Sequence, residues 1–126
     1  IKKVIMPLHP STKKKIADYK IKTKITIIPP QGYESFLSLL MGCDFVITDS
    51  GGVQKEAFFA SKKCITVRDE TEWVELLKLK VNALTNPDTI YNTFKNFSFD
   101  ENRFKSKTYG NGSSSEIIVN SIQSYY

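Results

Sequence analysis

The sequence predicts an α/β fold built on a parallel sheet covered on both faces. Two observations carry this. Apolar runs of four or five residues alternate with helical patterns along the whole chain, which is the signature of strands joined by helical crossovers. The polar, glycine and aromatic residues then gather just after the carboxyl ends of those runs, where such sheets hold ligands.

Each element has a local reason. Lys3-Val4-Ile5-Met6 reads as a buried strand ended by Pro7-Leu8-His9-Pro10, and Ser11 or Thr12 as the cap of a short helix reaching about Tyr19. Ile25-Thr26-Ile27-Ile28 reads as a second strand stopped by Pro29-Pro30. From Tyr33 to Gly42 the apolar residues Phe36, Leu37, Leu39 and Leu40 fall at helical spacing. Phe45 to Thr48 is the third strand, and a helix follows Gly52. Ile65-Thr66-Val67 is a fourth strand, with Arg68 to Trp73 leading into a helix at Val74 to Leu79. A weak fifth strand is expected at Asn82 to Thr85, and helices at about Pro87 to Phe97 and Ser114 to Tyr125.

Composition bounds the function. A chain of 126 residues with 40% hydrophobic and 25% charged content makes one domain with a real core. No apolar run reaches membrane-spanning length, and the N-terminus lacks a signal-peptide core. The sequence opens at Ile1 inside an apolar run, so it reads as a piece of something longer. The net charge of +5 comes from scattered lysines without interleaved aromatic residues, which suits a solvated face rather than a nucleic-acid partner. Cys43 and Cys64 have no metal or redox spacing, and the lone His9 adds none; buried thiols in a reducing cytoplasm are expected.

The most informative stretch is Asp44 to Ala57. Its strand ends in Asp49-Ser50-Gly51-Gly52 and re-enters a helix, which presents free N–H groups and the positive end of a helix dipole. Two readings stand. In one, Asp49 or Ser50 is an ordinary N-cap and the glycines merely turn the chain. In the other the turn holds phosphate, and Glu56, four to seven residues into the helix, accepts hydrogen bonds from a ribose diol.

The order Leu8-His9-Pro10, Pro30-Gln31-Gly32-Tyr33, Thr48-Asp49-Ser50-Gly51-Gly52-Val53-Gln54-Lys55-Glu56-Ala57, Arg68-Asp69-Glu70-Thr71-Glu72-Trp73 and Tyr109-Gly110-Asn111-Gly112 resembles the C-terminal domain of the non-hydrolysing UDP-N-acetylglucosamine 2-epimerases. The resemblance covers nearly all of residues 1–126. It implies a Rossmann-like parallel sheet forming the C-terminal half of a two-domain, glycosyltransferase-B-like fold, here a partial UDP-sugar-binding domain without its first strand and helix. Such halves order their strands 3-2-1-4-5-6, so the expected gap lies between Val4-Ile5-Met6 and Phe45-Val46-Ile47.

The resemblance also implies roles. Ser50, Gly51 and Gly52 match the diphosphate positions and Glu56 the acid on the ribose. Phe36 matches an aromatic residue against uracil, with a core phenylalanine as the competing reading. His9 matches a histidine near the sugar-pyrophosphate region, with a loop-stabilising hydrogen bond as its competitor. Arg68, Glu72 and Trp73 lie nearby. Inversion of carbon 2 by elimination and re-addition of UDP is the implied chemistry, with no cofactor and no metal. The main acids are expected in an N-terminal domain that this chain lacks, so it alone is expected to be inactive. A homodimeric cytoplasmic isomerase of cell-surface polysaccharide biosynthesis, with no membrane or nucleic-acid partner, completes that implication.

Departures from the family pattern bear on the substrate. Thr71-Glu72-Trp73-Val74-Glu75 stands where many members have Thr-Glu-Arg-Pro-Glu, and Trp73 either stacks on a ligand or packs beneath its loop. This variant is similar to the branch acting on UDP-2,3-diacetamido-glucuronate. Lys55 replaces a frequent acid, Ser61 and Lys63 a glycine and a proline, and Asn111 an aspartate. Two alternatives stay open: a UDP-sugar-binding or glycosyltransferase-like module without epimerase chemistry, and a purely structural domain.

Overall fold

The computed structural model describes residues 3–125. They divide into two compact units, Ile1–Gly42 and Cys43–Tyr126. Among the described residues, five strands form two parallel ladders.

In the first unit, β1 (Ile5–Pro7) runs parallel to β2 (Thr26–Ile28), with Met6 opposite Ile27. The ladder is extended by Thr26 N–H donating to the Val4 carbonyl at 3.1 Å and Leu8 N–H to the Ile28 carbonyl at 3.0 Å. Leu8 is buried, but Val4, Ile5, Met6, Ile25 and Ile27 are exposed. The buried first strand expected from its apolar run is therefore corrected: a run shows that a strand can be covered on both faces, and a two-stranded ladder has too few neighbours to cover it. Helix α1 (Pro10–Asp18) is capped by His9, not by Ser11 or Thr12. Pro10 suits the first helical position because its missing N–H would be unpaired there anyway. Lys20, at φ +51°, takes the left-handed conformation that ends this helix. Helix α2 (Tyr33–Gly42) spans its expected range and buries Leu40.

In the second unit, β3 (Phe45–Thr48), β4 (Lys63–Val67) and β5 (Asn82–Thr85) form one parallel sheet in that order. Strand β4 starts two residues earlier than its apolar run because Lys63 and Cys64 pair with Phe45 and Val46. It is the central strand, and Cys64, Ile65 and Thr66 are buried, as expected of a parallel strand covered on both faces. Helix α3 (Gly51–Phe59) packs on β3 and β4, α4 (Val74–Lys78) on β5, and α5 (Ile90–Asn96) on β4 and β5. The core joins Phe58, Leu76 and Val81, with Trp73, Leu79, Phe104 and Tyr109 against it.

Helix α5 begins three residues later than its pattern. Asn86 Oδ1 accepts from the N–H groups of Asp88 and Thr89, so a side-chain-closed turn replaces the first helical turn. A 3-10 turn at Glu101–Lys105, closed by Asp100, had no sequence signal, and α6 (Ser114–Gln123) ends the unit. Ser61 sits at φ +55° after α3. That conformation favours glycine, so a serine there costs about 1 kcal/mol. Among the described residues no helix is long and apolar enough to cross a membrane.

Candidate functional site

Thr48, the last residue of β3, accepts the Ser50 N–H on its Oγ1 at 3.0 Å, which shapes the turn leading into α3. Ser50 is the N-cap residue by position, yet its hydroxyl makes no capping hydrogen bond. The ordinary capping reading therefore fails for the side chain. Gly51 and Gly52 are the first two residues of the helix, and Ser50 and Gly52 are exposed. Their amides belong to the first turn, whose N–H groups have no partner in the helix ladder. Glu56 lies four residues beyond Gly52, on the same face of α3. It is half-buried, and its carboxylate makes no hydrogen bond or ion pair with another described residue. A hydroxyl, two glycine amides and a carboxylate thus follow one another along one helix start.

The loop after β4 closes on this start. Arg68 Nη1 pairs with Glu72 Oε2 at 3.0 Å, and Glu72 Oε1 lies so close over Gly51 that a Cβ there would collide with it. A side chain at Gly51 would displace the Glu72 carboxylate from its place over the turn, and no unusual backbone angle calls for glycine there. The Glu72 carboxyl is held below its usual range, chiefly by its own backbone N–H and then by Arg68. Trp73 Nε1 donates to the Gly51 carbonyl at 2.9 Å. Its ring faces the Lys55 ammonium at 4.3 Å and meets Tyr109 edge-on at 6.3 Å, while Lys55 lies 4.5 Å from the Tyr109 ring as well. Trp73 therefore packs beneath its loop, half-buried against the core.

A buried polar network lies under the turn. Gln54, fully buried, accepts on Oε1 from Thr71 Oγ1 at 2.7 Å and from Asn82 Nδ2 at 3.0 Å, and its amide reaches the Ser50 carbonyl at 3.4 Å. Thr66 Oγ1 donates to Asn82 Oδ1 at 3.0 Å, and the Trp73 N–H donates to Thr71 Oγ1 at 3.1 Å. The helix start, two strands and the loop are so tied through one glutamine. Sequence reasoning named Gln54 only as part of a motif; a polar residue among core positions of α3 was the available signal. Tyr109, quoted only within its motif, also reaches this cluster. Its hydroxyl is buried without a hydrogen bond of ordinary geometry, and burial first, with the Glu75 carboxylate second, holds the phenol above its usual range. On β4, burial pushes the Cys64 thiol up to about 12, so this cysteine is inert packing.

The structure brings Ser50, Gly51, Gly52, Glu56, Arg68, Glu72 and Trp73 into the second unit. His9 and Phe36 belong to the first. His9 Nδ1 faces Ser11 Oγ at 2.7 Å and accepts the Ser11 N–H at 3.3 Å, leaving Nε2 as the nitrogen not used by the cap. Phe36 is half-buried on α2.

The profile of a family described as UDP-N-acetylglucosamine 2-epimerase matches residues 2–123. A UDP-2,3-diacetamido-2,3-dideoxy-D-glucuronate 2-epimerase of Pseudomonas aeruginosa is 49% identical over 81 residues, covering 64% of this chain and 23% of the relative. A UDP-N-acetylglucosamine 2-epimerase of Methanococcus maripaludis is 37% identical over 96% of this chain and 35% of its own length. The crystal structure of the Methanocaldococcus jannaschii UDP-GlcNAc 2-epimerase in complex with UDP-GlcNAc and UDP superposes with a TM-score of 0.77 at 34% identity, covering 99% of this chain and 36% of that one. The chain thus spans about a third or less of the length of these relatives.

Proposed function

This chain belongs to the UDP-N-acetylglucosamine 2-epimerase family, and from that premise we propose that its second unit holds the UDP of a nucleotide sugar whose carbon 2 is inverted by elimination and re-addition of UDP. The observation that carries this is the start of α3, where an uncommitted Ser50 hydroxyl and two glycine amides are followed one turn on by the Glu56 carboxylate, on the face of Gly52. Amides at the positive end of a helix suit a diphosphate, and a carboxylate one turn on suits a ribose diol. UDP leaves and returns in the reaction, so firm binding of its diphosphate stabilises charge at the moment it develops.

The proton transfers at the sugar need an acid and a base. We assign most of these to a domain of the kind filling the other two thirds of the relatives, with His9 Nε2 as this chain's own candidate. The likeness to the Pseudomonas enzyme, 49% identical over 81 residues, supports a 2,3-diacetamido-uronate as the sugar. The resemblance supports a homodimer, and two cysteines without a disulfide support a cytoplasmic location.

Calorimetry with UDP on the full-length protein tests the site: Glu56→Ala weakens binding about tenfold or more, the loss of one or two charge-assisted hydrogen bonds. Unchanged affinity would sink the assignment. Turnover assays with UDP-N-acetylglucosamine and its 2,3-diacetamido-uronate relative test the sugar, and the second should be the faster substrate. Preference for the plain sugar removes the finer reading, and UDP binding without turnover of either favours a binding module.

A further inference from the structure

Two consecutive peptide planes at the start of α3 carry the N–H groups of Gly51 and Gly52, and each plane also carries a carbonyl. A peptide unit is planar, with its C=O and N–H pointing in opposite directions, so holding the oxygen aims the hydrogen. The Ser50 carbonyl, in the plane of the Gly51 N–H, is reached by Gln54 Nε2 at 3.4 Å. The Gly51 carbonyl, in the plane of the Gly52 N–H, accepts from Trp73 Nε1 at 2.9 Å. Here, at a helix end built of two glycines, the backbone is least restrained by its own side chains.

Trp73 is itself held on several sides. Its own N–H is anchored on Thr71, which donates to the same Gln54. Its ring meets the Lys55 ammonium at 4.3 Å and Tyr109 at 6.3 Å, the two lying beside each other. With its backbone N–H bonded and its ring in contact with neighbours, the indole has partners at both ends that hold Nε1 near the Gly51 carbonyl.

We propose that Trp73 is a positioning residue of the phosphate turn: acting through the Gly51 carbonyl, with Gln54 beside it, it aims the Gly52 N–H at a diphosphate it does not itself touch. The inference rests on the reading of this turn as the UDP site. It predicts a division within the ligand, because only the phosphate groups meet the amides that Trp73 aims. The uridine moiety is indifferent to them.

The test is Trp73→Phe in the full chain, with UDP and uridine titrated separately by calorimetry. The variant keeps an aromatic ring for Lys55 and Tyr109 and removes the indole N–H. UDP should bind about fivefold more weakly, the worth of one neutral hydrogen bond, while uridine affinity is unchanged. Equal loss for both ligands would reduce Trp73 to general packing, and unchanged UDP affinity would overturn the inference while leaving the UDP site standing. Wild-type protein that binds no UDP would overturn the reading beneath it. Trp73 is the only tryptophan in the chain, so its indole N–H proton supplies a second measurement if the variant does not fold. Saturating UDP should shift that resonance and slow its exchange, and uridine should not; a resonance indifferent to UDP would refute the coupling.

Discussion

Two helices here start directly after a parallel strand, and their N-termini are built in opposite ways. At α1 the chain satisfies itself: the His9 ring accepts the Ser11 N–H, and Pro10 has no N–H to offer. At α3 the N-cap hydroxyl makes no such bond, glycine replaces proline, and a loop from after the next strand grips the carbonyl side of the turn through Trp73. A self-capped end stabilises its helix and closes it to ligands. An end held from behind keeps its donors available, and its stability comes from Gln54, Thr71 and Trp73 instead.

The contrast can be broken by giving α3 the cap that α1 has. Ser50→Asp supplies an acceptor and a negative charge at the dipole's positive end, which should stabilise the unit by about 1 kcal/mol in chemical denaturation. The same carboxylate occupies the anion position, so UDP binding by calorimetry should fall about tenfold or more. A variant that is both more stable and equally tight for UDP would show that the open end serves no anion.

The converse change at α1 is smaller. His9→Ala removes the cap and should cost about 1 kcal/mol of stability, with UDP affinity unaltered. His9→Asn keeps an acceptor for the Ser11 N–H and should recover most of that loss. If Nε2 serves the chemistry, turnover of the full-length enzyme stays low in the asparagine variant; turnover restored along with stability would confine His9 to capping.

That a helix starts after each of these strands was legible because the signals are local, although the cap of α1 is His9 rather than Ser11 or Thr12. His9-Pro10 and Ser50-Gly51-Gly52 each follow a short apolar run, and strand ends, proline and glycine announce turns within a few residues. The location of β3 and β5 was readable for the same reason. The boundaries that moved depended on something else: β4 lengthened to pair with β3, α5 shortened around the Asn86 turn, and β1 proved exposed because coverage belongs to neighbours rather than to the strand.

By itself the sequence determined the alternation of strands and helices, the parallel sheet, the family, and the Ser-Gly-Gly turn at the start of α3. Tertiary structure alone decided what stands behind that turn. Trp73 meets Gly51 across 22 residues, Thr71 meets Gln54 across 17, and Asn82 meets Gln54 across 28. Those pairs exist because β3, β4 and β5 align in one parallel register, which places the loop after β4 and the edge of β5 against the helix after β3. No local pattern encodes such a meeting. That Trp73 donates to the backbone of the turn became visible only when the register had set its neighbours.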